Sequence, residues 1–228
     1  GNVLADAATF KSGNVTSHGE TNISGATAIS GQLVSGSDIT IKGASIDLGT
    51  AVAGVDLDAL AAGDVLLSSA THALNLTATA GNLTAQRLLS SGAVSASATD
   101  NLSANALAHG DLDLKAGGTL TLSGQSLAGN NASLNAASIN LGTLVSGVDF
   151  AATEQSSGSL ILKTGAPGTG IMVLNALSGS ITADQLLSGG DLKAKAQQDI
   201  AYNSLQSFGS ADLNSISGAI SLDKNTVV

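Results

Sequence analysis

The chain has 228 residues and a formal net charge of −9, so it lacks the clustered Lys and Arg that neutralise nucleic-acid phosphates. It has no cysteine, which excludes disulfides, thiol catalysis and thiolate metal sites. Hydrophobic residues make up 43% of it but aromatics only 2%, so any interior is narrow and filled by Ala, Leu, Val and Ile.

Gly1 reads as the start of an excised fragment: no basic-then-apolar leader opens the chain, and no run of 18 apolar residues could cross a membrane as a helix. Further along, apolar residues alternate with polar ones in short runs, the pattern of half-buried strands. Ile39/Ile41 and Ile46/Leu48 come first. Val65/Leu67, Leu74/Leu76, Leu83/Ala85 with Leu88, and Val94/Ala96 with Leu102 and Leu107 follow. Residues 110–147 are the clearest: Leu112/Leu114, Leu120/Leu122 and Leu127, then Ala132/Leu134, Ile139/Leu141 and Leu144. Leu114 and Leu134 lie 20 residues apart, while Leu120–Ile139 and Leu122–Leu141 are each separated by 19. Leu192/Ala194/Ala196, Ile200, Tyr202 and Leu205 continue the grammar, and Leu213 with Ile220/Leu222 closes it. Gly and Asn at the breaks supply turns. Helical spacing is approached only in VDLDALAAGD at 55–64, which is short.

Parts of the chain are written twice. ASIDLGTAVAGVD (44–56) returns as ASINLGTLVSGVD (137–149), displaced by 93 positions. GNLTAQRLLSSG (81–92) returns as GSITADQLLSGG (179–190), displaced by 98, and the extra five residues are assigned to the Gly/Pro-rich stretch around 164–170. A tandem duplication covering about 31–123 and 124–222 follows, within one domain spanning 1–228. Strands at about 20 residues per circuit predict an all-β fold, a parallel β-helix (solenoid) of roughly eleven rungs and on the order of 50 Å in length. Open ends of such a column expose unpaired strand edges, so end-to-end self-association is expected.

Segments SGSDITIKGASIDL (35–48), AHGDLDLKAGGTLTLSGQSL (108–127) and SGGDLKAKAQQDI (188–200) resemble haemagglutinin-type repeats of filamentous haemagglutinin-like exoproteins, which two-partner systems of Gram-negative bacteria secrete. The resemblance covers nearly the whole chain through a degenerate motif, a Gly-Gly or Ser-Gly turn followed by alternating strands. It implies a right-handed β-helical shaft, secreted to the bacterial cell surface with an outer-membrane secretion partner and serving an adhesin or a contact-dependent growth inhibition effector. The family's amino-terminal secretion domain with its Asn-Pro motifs and a toxin module are not found, and the single proline, Pro167, is not preceded by Asn. No catalytic activity is therefore carried over.

Two segments break the regular rungs at equivalent points of the copies, 50–63 and 143–158. One reading makes them loops that contact a target-cell receptor, a host surface or a glycan, with Asp56, Asp58, Asp149, Phe150 and Glu154 as contact residues. The other makes them longer β-arcs, which a solenoid tolerates at small thermodynamic cost. The stretch TGAPGTG at 164–170 is expected to be a mobile excursion. A polysaccharide lyase or hydrolase, the enzyme class also found on β-helices, needs clustered carboxylates or basic groups, and the chain has one arginine, Arg87. Calcium-binding repeats need recurring Gly-Gly-x-Gly-x-Asp, which is absent, and His18, His72 and His109 show no ligand spacing. Neither a catalytic residue, a cofactor nor a metal is expected.

Overall fold

The computed structural model describes residues 1–79, 81–155, 160–167, 170–222 and 226–227; side chains are described at these positions except 68–75, 161–167 and 226–227. Every strand pairing is parallel, each strand lying against its equivalents one coil below and one coil above. Among the described residues there is no helix. Following the chain from Val3 through Thr21, Ile39, Leu57, Leu74, Val94, Leu112, Ala132, Phe150, Met172 and Leu192 to Ala211 takes eleven circuits. The fold is a β-solenoid, and at the usual interstrand spacing its axis is about 50 Å long.

Each coil contributes to three ladders. The first is built from strands such as Val94–Ala98, Leu112–Ala116, Ala132–Ala136, Phe150–Glu154, Met172–Ala176 and Leu192–Ala196. Longer strands, Thr119–Ala128 and Ser138–Ser146 among them, turn a corner and serve the second and third ladders in succession. The second runs Leu83, Leu102, Leu120, Ile139, Leu160, Ile181, Ile200, Ile220. The third is seen in Leu144, Gly165, Leu186 and Leu205. Alternation does the rest: Leu112, Leu114 and Ala116 face inward, and Asp113 and Lys115 face water. Successive coils stack like on like, so the core is one continuous aliphatic column from Ile23 to Leu205.

The predicted 20- and 19-residue pairings of Leu114 with Leu134, Leu120 with Ile139 and Leu122 with Leu141 are all present. The coil is not constant in length: the offset is 17 from Leu57 to Leu74 and 22 from Phe150 to Met172. Both displacements in the duplicated sequence are five coils. Ile46 reaches Ile139 in five steps, and Leu83 reaches Ile181 in five. The extra five residues of the second copy are shared between two places. Phe150 to Leu160 spans two residues more than Leu57 to Val65, and Leu160 to Met172 three more than Val65 to Leu74.

Several expectations change. Residues 50–63 do not leave the column: strand Ile46–Ala61 runs through most of them and pairs on both sides. Its Ala51, Ala53, Leu57, Ala59 and Ala61 are buried, so alternation there is real but masked by small residues. Of 143–158, residues 143–146 and Phe150–Glu154 are strand, and 156–159 lie outside the described residues. Residues 164–167 belong to strand Leu160–Pro167 rather than to an excursion, while 168–169 lie outside the described residues. Leu127 is 44% exposed and Leu107 half-buried, although both were expected inside. Alternation carried through each strand sets them outward. Leu102, Ala104, Ala106 and Ala108 face in on one, and Leu120, Leu122, Ser126 and Ala128 on the other, with Gly124 half-buried at the corner between Leu122 and Ser126. Ser126 and Ala128 then turn in, and Leu127 turns out. Ile220 and Leu222, expected to close the core, are half exposed.

Candidate functional surfaces

Two corners carry ladders of side chains bonded to backbone. At the corner before the first ladder, the Oδ1 of an Asp or Asn accepts from the N–H of the equivalent residue one coil on. Asp38 accepts from Asp56 at 3.2 Å, Asp111 from Asn131 at 3.1 Å, Asn131 from Asp149 at 3.3 Å, and Asp149 from Ile171 at 3.0 Å. Asp191 accepts from both the N–H and the hydroxyl of Ser210, at 2.8 and 3.0 Å. The backbone bond and then the hydroxyl, with Lys193 as a lesser attraction, hold the Asp191 carboxyl below the usual carboxylate range. A second series precedes the second ladder. Asp64 accepts from Asn82 at 2.8 Å, Asn82 from Asn101 at 3.2 Å, and Asn101 from Thr119 at 2.8 Å. Turn N–H groups that no strand partner reaches are satisfied in this way.

This geometry separates the five residues proposed as contacts. Asp56 and Asp149 occupy the same corner of coils five apart, about 24 Å along the axis. Asp149 is exposed, yet its Oδ1 is bonded to the backbone of the next coil. Asp58 stands on the outer face of the first ladder and is exposed. Phe150 is 1% exposed and faces the core, between Ala132 below and Met172 above. The Glu154 side chain is wholly buried at a position that is alanine in the coils on either side, Ala136 and Ala176. Its Oε1 accepts from the Ser178 hydroxyl at 2.9 Å and its Oε2 from the Ser178 N–H at 3.2 Å, tying down the turn of the coil above. Neither Phe150 nor Glu154 presents its side chain to a partner.

Described outward positions of the first ladder read Thr40/Lys42, Asp58/Leu60, Ser95/Ser97, Asp113/Lys115, Ser133/Asn135, Ala151/Thr153, Val173/Asn175 and Lys193/Lys195, a mainly polar coat with both signs interspersed and Leu60 as an exposed apolar member. Recesses on the surface are grooves between such side chains: Asp184, Asn203, Tyr202 and Leu222 line one, and Leu4, Asn22, Thr40 and Lys42 another. Among the described residues no three His, Cys, Asp or Glu side chains gather closely enough to hold a metal. His18 and His109 are exposed at turns, and His109 Nδ1 lies 3.0 Å from the Ser90 carbonyl oxygen.

One feature of the third ladder escapes a reading that assigns every leucine to the core. Its outward column contains Leu89, Leu107, Leu127 and Val145 in four consecutive coils, with Val52 and Leu187 further along, separated from them in the backbone register by Thr71 and Ala166. The signal was present in QRLLSSG and DQLLSGG, because two adjacent residues of a strand cannot face the same side. No protein-family model, curated protein or solved structure matches the chain.

Proposed function

We propose that the chain is a shaft segment of a secreted filamentous exoprotein of the haemagglutinin-repeat type, exported through an outer-membrane secretion partner. As part of a cell-surface adhesin or contact-dependent inhibition effector, it would hold functional tips away from the bacterium. The observation that carries this reading is the unbroken three-ladder column, in which eleven circuits repeat one cross-section. Such a column suits rigid spacing: each coil contacts only its neighbours, so stiffness comes from backbone ladders and aligned aliphatic side chains rather than from a globular centre. The dispersed polar coat of the first ladder fits the same role.

The test uses the isolated chain on beads, presented to target bacteria and host cells, beside electron microscopy of the same material. A shaft gives rods about 50 Å long and no attachment above uncoated beads. Specific, saturable attachment would overturn the spacer reading in favour of receptor or glycan binding.

A further inference from the structure

We propose that the outer face of the third ladder is a lateral docking surface for a second copy of this chain. The face is built around the column Val52, Leu89, Leu107, Leu127, Val145 and Leu187. Leu89, Leu107, Leu127 and Val145 follow one another in four consecutive coils without a polar residue between them. Leu127, the most prominent, is 44% exposed. A monomer whose function needed only solubility would carry Thr or Ser here, as the first ladder does at Ser95, Ser97 and Ser133.

Three observations select a second copy as the occupant. The first is charge. The chain is acidic at −9, so most faces of two copies oppose carboxylates. Of the outward side chains described on the third ladder only Arg87 is charged, in the column beside the apolar one. The second is periodicity. Side chains of this column recur once per coil, at about 4.8 Å, and a partner with the same spacing lets knobs of one seat between knobs of the other. A two-fold axis through the face makes that match self-complementary. The third is area. From Val34 to Leu187 the column extends eight coil spacings, about 38 Å, and the face is about 13 Å wide. Two copies would bury roughly 1,000 Å², the lower limit of a specific interface. An interface of that size is at the weak end, so the dimer is expected only as protein concentration rises.

Sedimentation equilibrium of the whole chain, from low micromolar to several hundred micromolar, tests it. The expected result is a monomer–dimer equilibrium that Leu107→Lys with Leu127→Lys weakens at least tenfold, with far-UV circular dichroism unchanged. Ile220→Lys with Leu222→Lys, at the last coil, leaves the dimer as it is. If the lysine variant fails to fold, Leu107→Thr with Leu127→Thr makes the same comparison. A strict monomer at every concentration overturns the proposal. So does a dimer that survives the ridge substitutions, or one that only the last-coil variant abolishes, which would mean end-to-end association instead.

Discussion

Phe150→Ala separates a core residue from a contact residue most sharply. The ring is 1% exposed and sits in a column with Ala132 below and Met172 above. Truncation removes the contacts of six ring carbons where the next side chain down is already a methyl. The neighbouring backbones are held by Phe150 N–H to the Ile171 carbonyl at 3.0 Å and Ala132 N–H to the Asp149 carbonyl at 2.9 Å, so the site cannot collapse freely. A cavity of this kind costs about 3–5 kcal/mol. For a chain of this length that corresponds to a fall in Tm of roughly 6–20 °C. Because each coil leans only on its neighbours, urea unfolding should broaden or split as the coils on either side of Phe150 lose coupling. Phe150→Leu keeps most of the volume and should cost less than about 1.5 kcal/mol. Thermal and urea unfolding followed by circular dichroism provide the assay. An alanine variant with an unchanged midpoint but impaired attachment to target cells would refute this reasoning and restore Phe150 as a contact residue.

Asn82→Asp places a second carboxylate against Asp64, whose Oδ1 now accepts from both the N–H and the Nδ2 of Asn82 at 2.8 and 3.3 Å. It should destabilise by about 1 kcal/mol, less in high salt, as urea midpoints at two ionic strengths would reveal. Glu154→Ala restores the alanine column yet leaves the Ser178 N–H and hydroxyl without their carboxylate, so a loss of about 1–3 kcal/mol is expected in thermal unfolding. Gly147→Ala would drive a Cβ into the Gly129 carbonyl oxygen, a backbone atom locked in the stack; strain of about 1–3 kcal/mol should appear as a lower urea midpoint. Asp191 has its folded pKa depressed by Ser210, so its contribution is present above the unfolded carboxylate value and lost as pH falls through the folded one. The unfolding midpoint of Asp191→Ala should therefore converge with that of the parent chain in acid, while the two differ at neutral pH.

The β-solenoid, its coil length and the pairing of Leu120 with Ile139 could be read from alternation and repetition alone, because a strand that faces a core on one side advertises its period. What misled was identity without phase. Leu107 and Leu127 are leucines, but each stands an odd number of residues from the inward residue that opens its strand's alternation, Leu102 or Leu120, so alternation itself turns it outward. Residues 50–63 read as irregular because four of their five buried positions are Ala51, Ala53, Ala59 and Ala61, too small to stand out against the alanine and glycine around them. The corner residues Asp56 and Asp149 are, on sequence alone, candidate contact residues. At that corner the side-chain oxygens of Asp38 and Asp149 are instead acceptors for turn N–H groups a coil away, a role that depends on three-dimensional register and leaves no local pattern. Glu154 stands among the candidate contact residues of 143–158, and only the stack reveals that it interrupts a column of alanines.

The duplication and the corner ladders share a cause. In a coil that ends where it began, one coil further along the axis, the residue before each strand meets its own equivalent. A side chain that can accept from that N–H is therefore useful in every coil at once. Asp38, Asp111, Asn131, Asp149 and Asp191 are five solutions to one geometric demand. A block of five coils copied as a unit brings matching corners and matching inward columns at both of its joins, so it can be inserted without a new fold having to be found. The two-residue and three-residue additions of the second copy lie between Phe150 and Leu160 and between Leu160 and Met172, and all three residues keep their pairings with the coils on either side. Length can thus change by whole coils while the cross-section stays constant, which is the property that a spacer requires and that a site built around one unique pocket does not have.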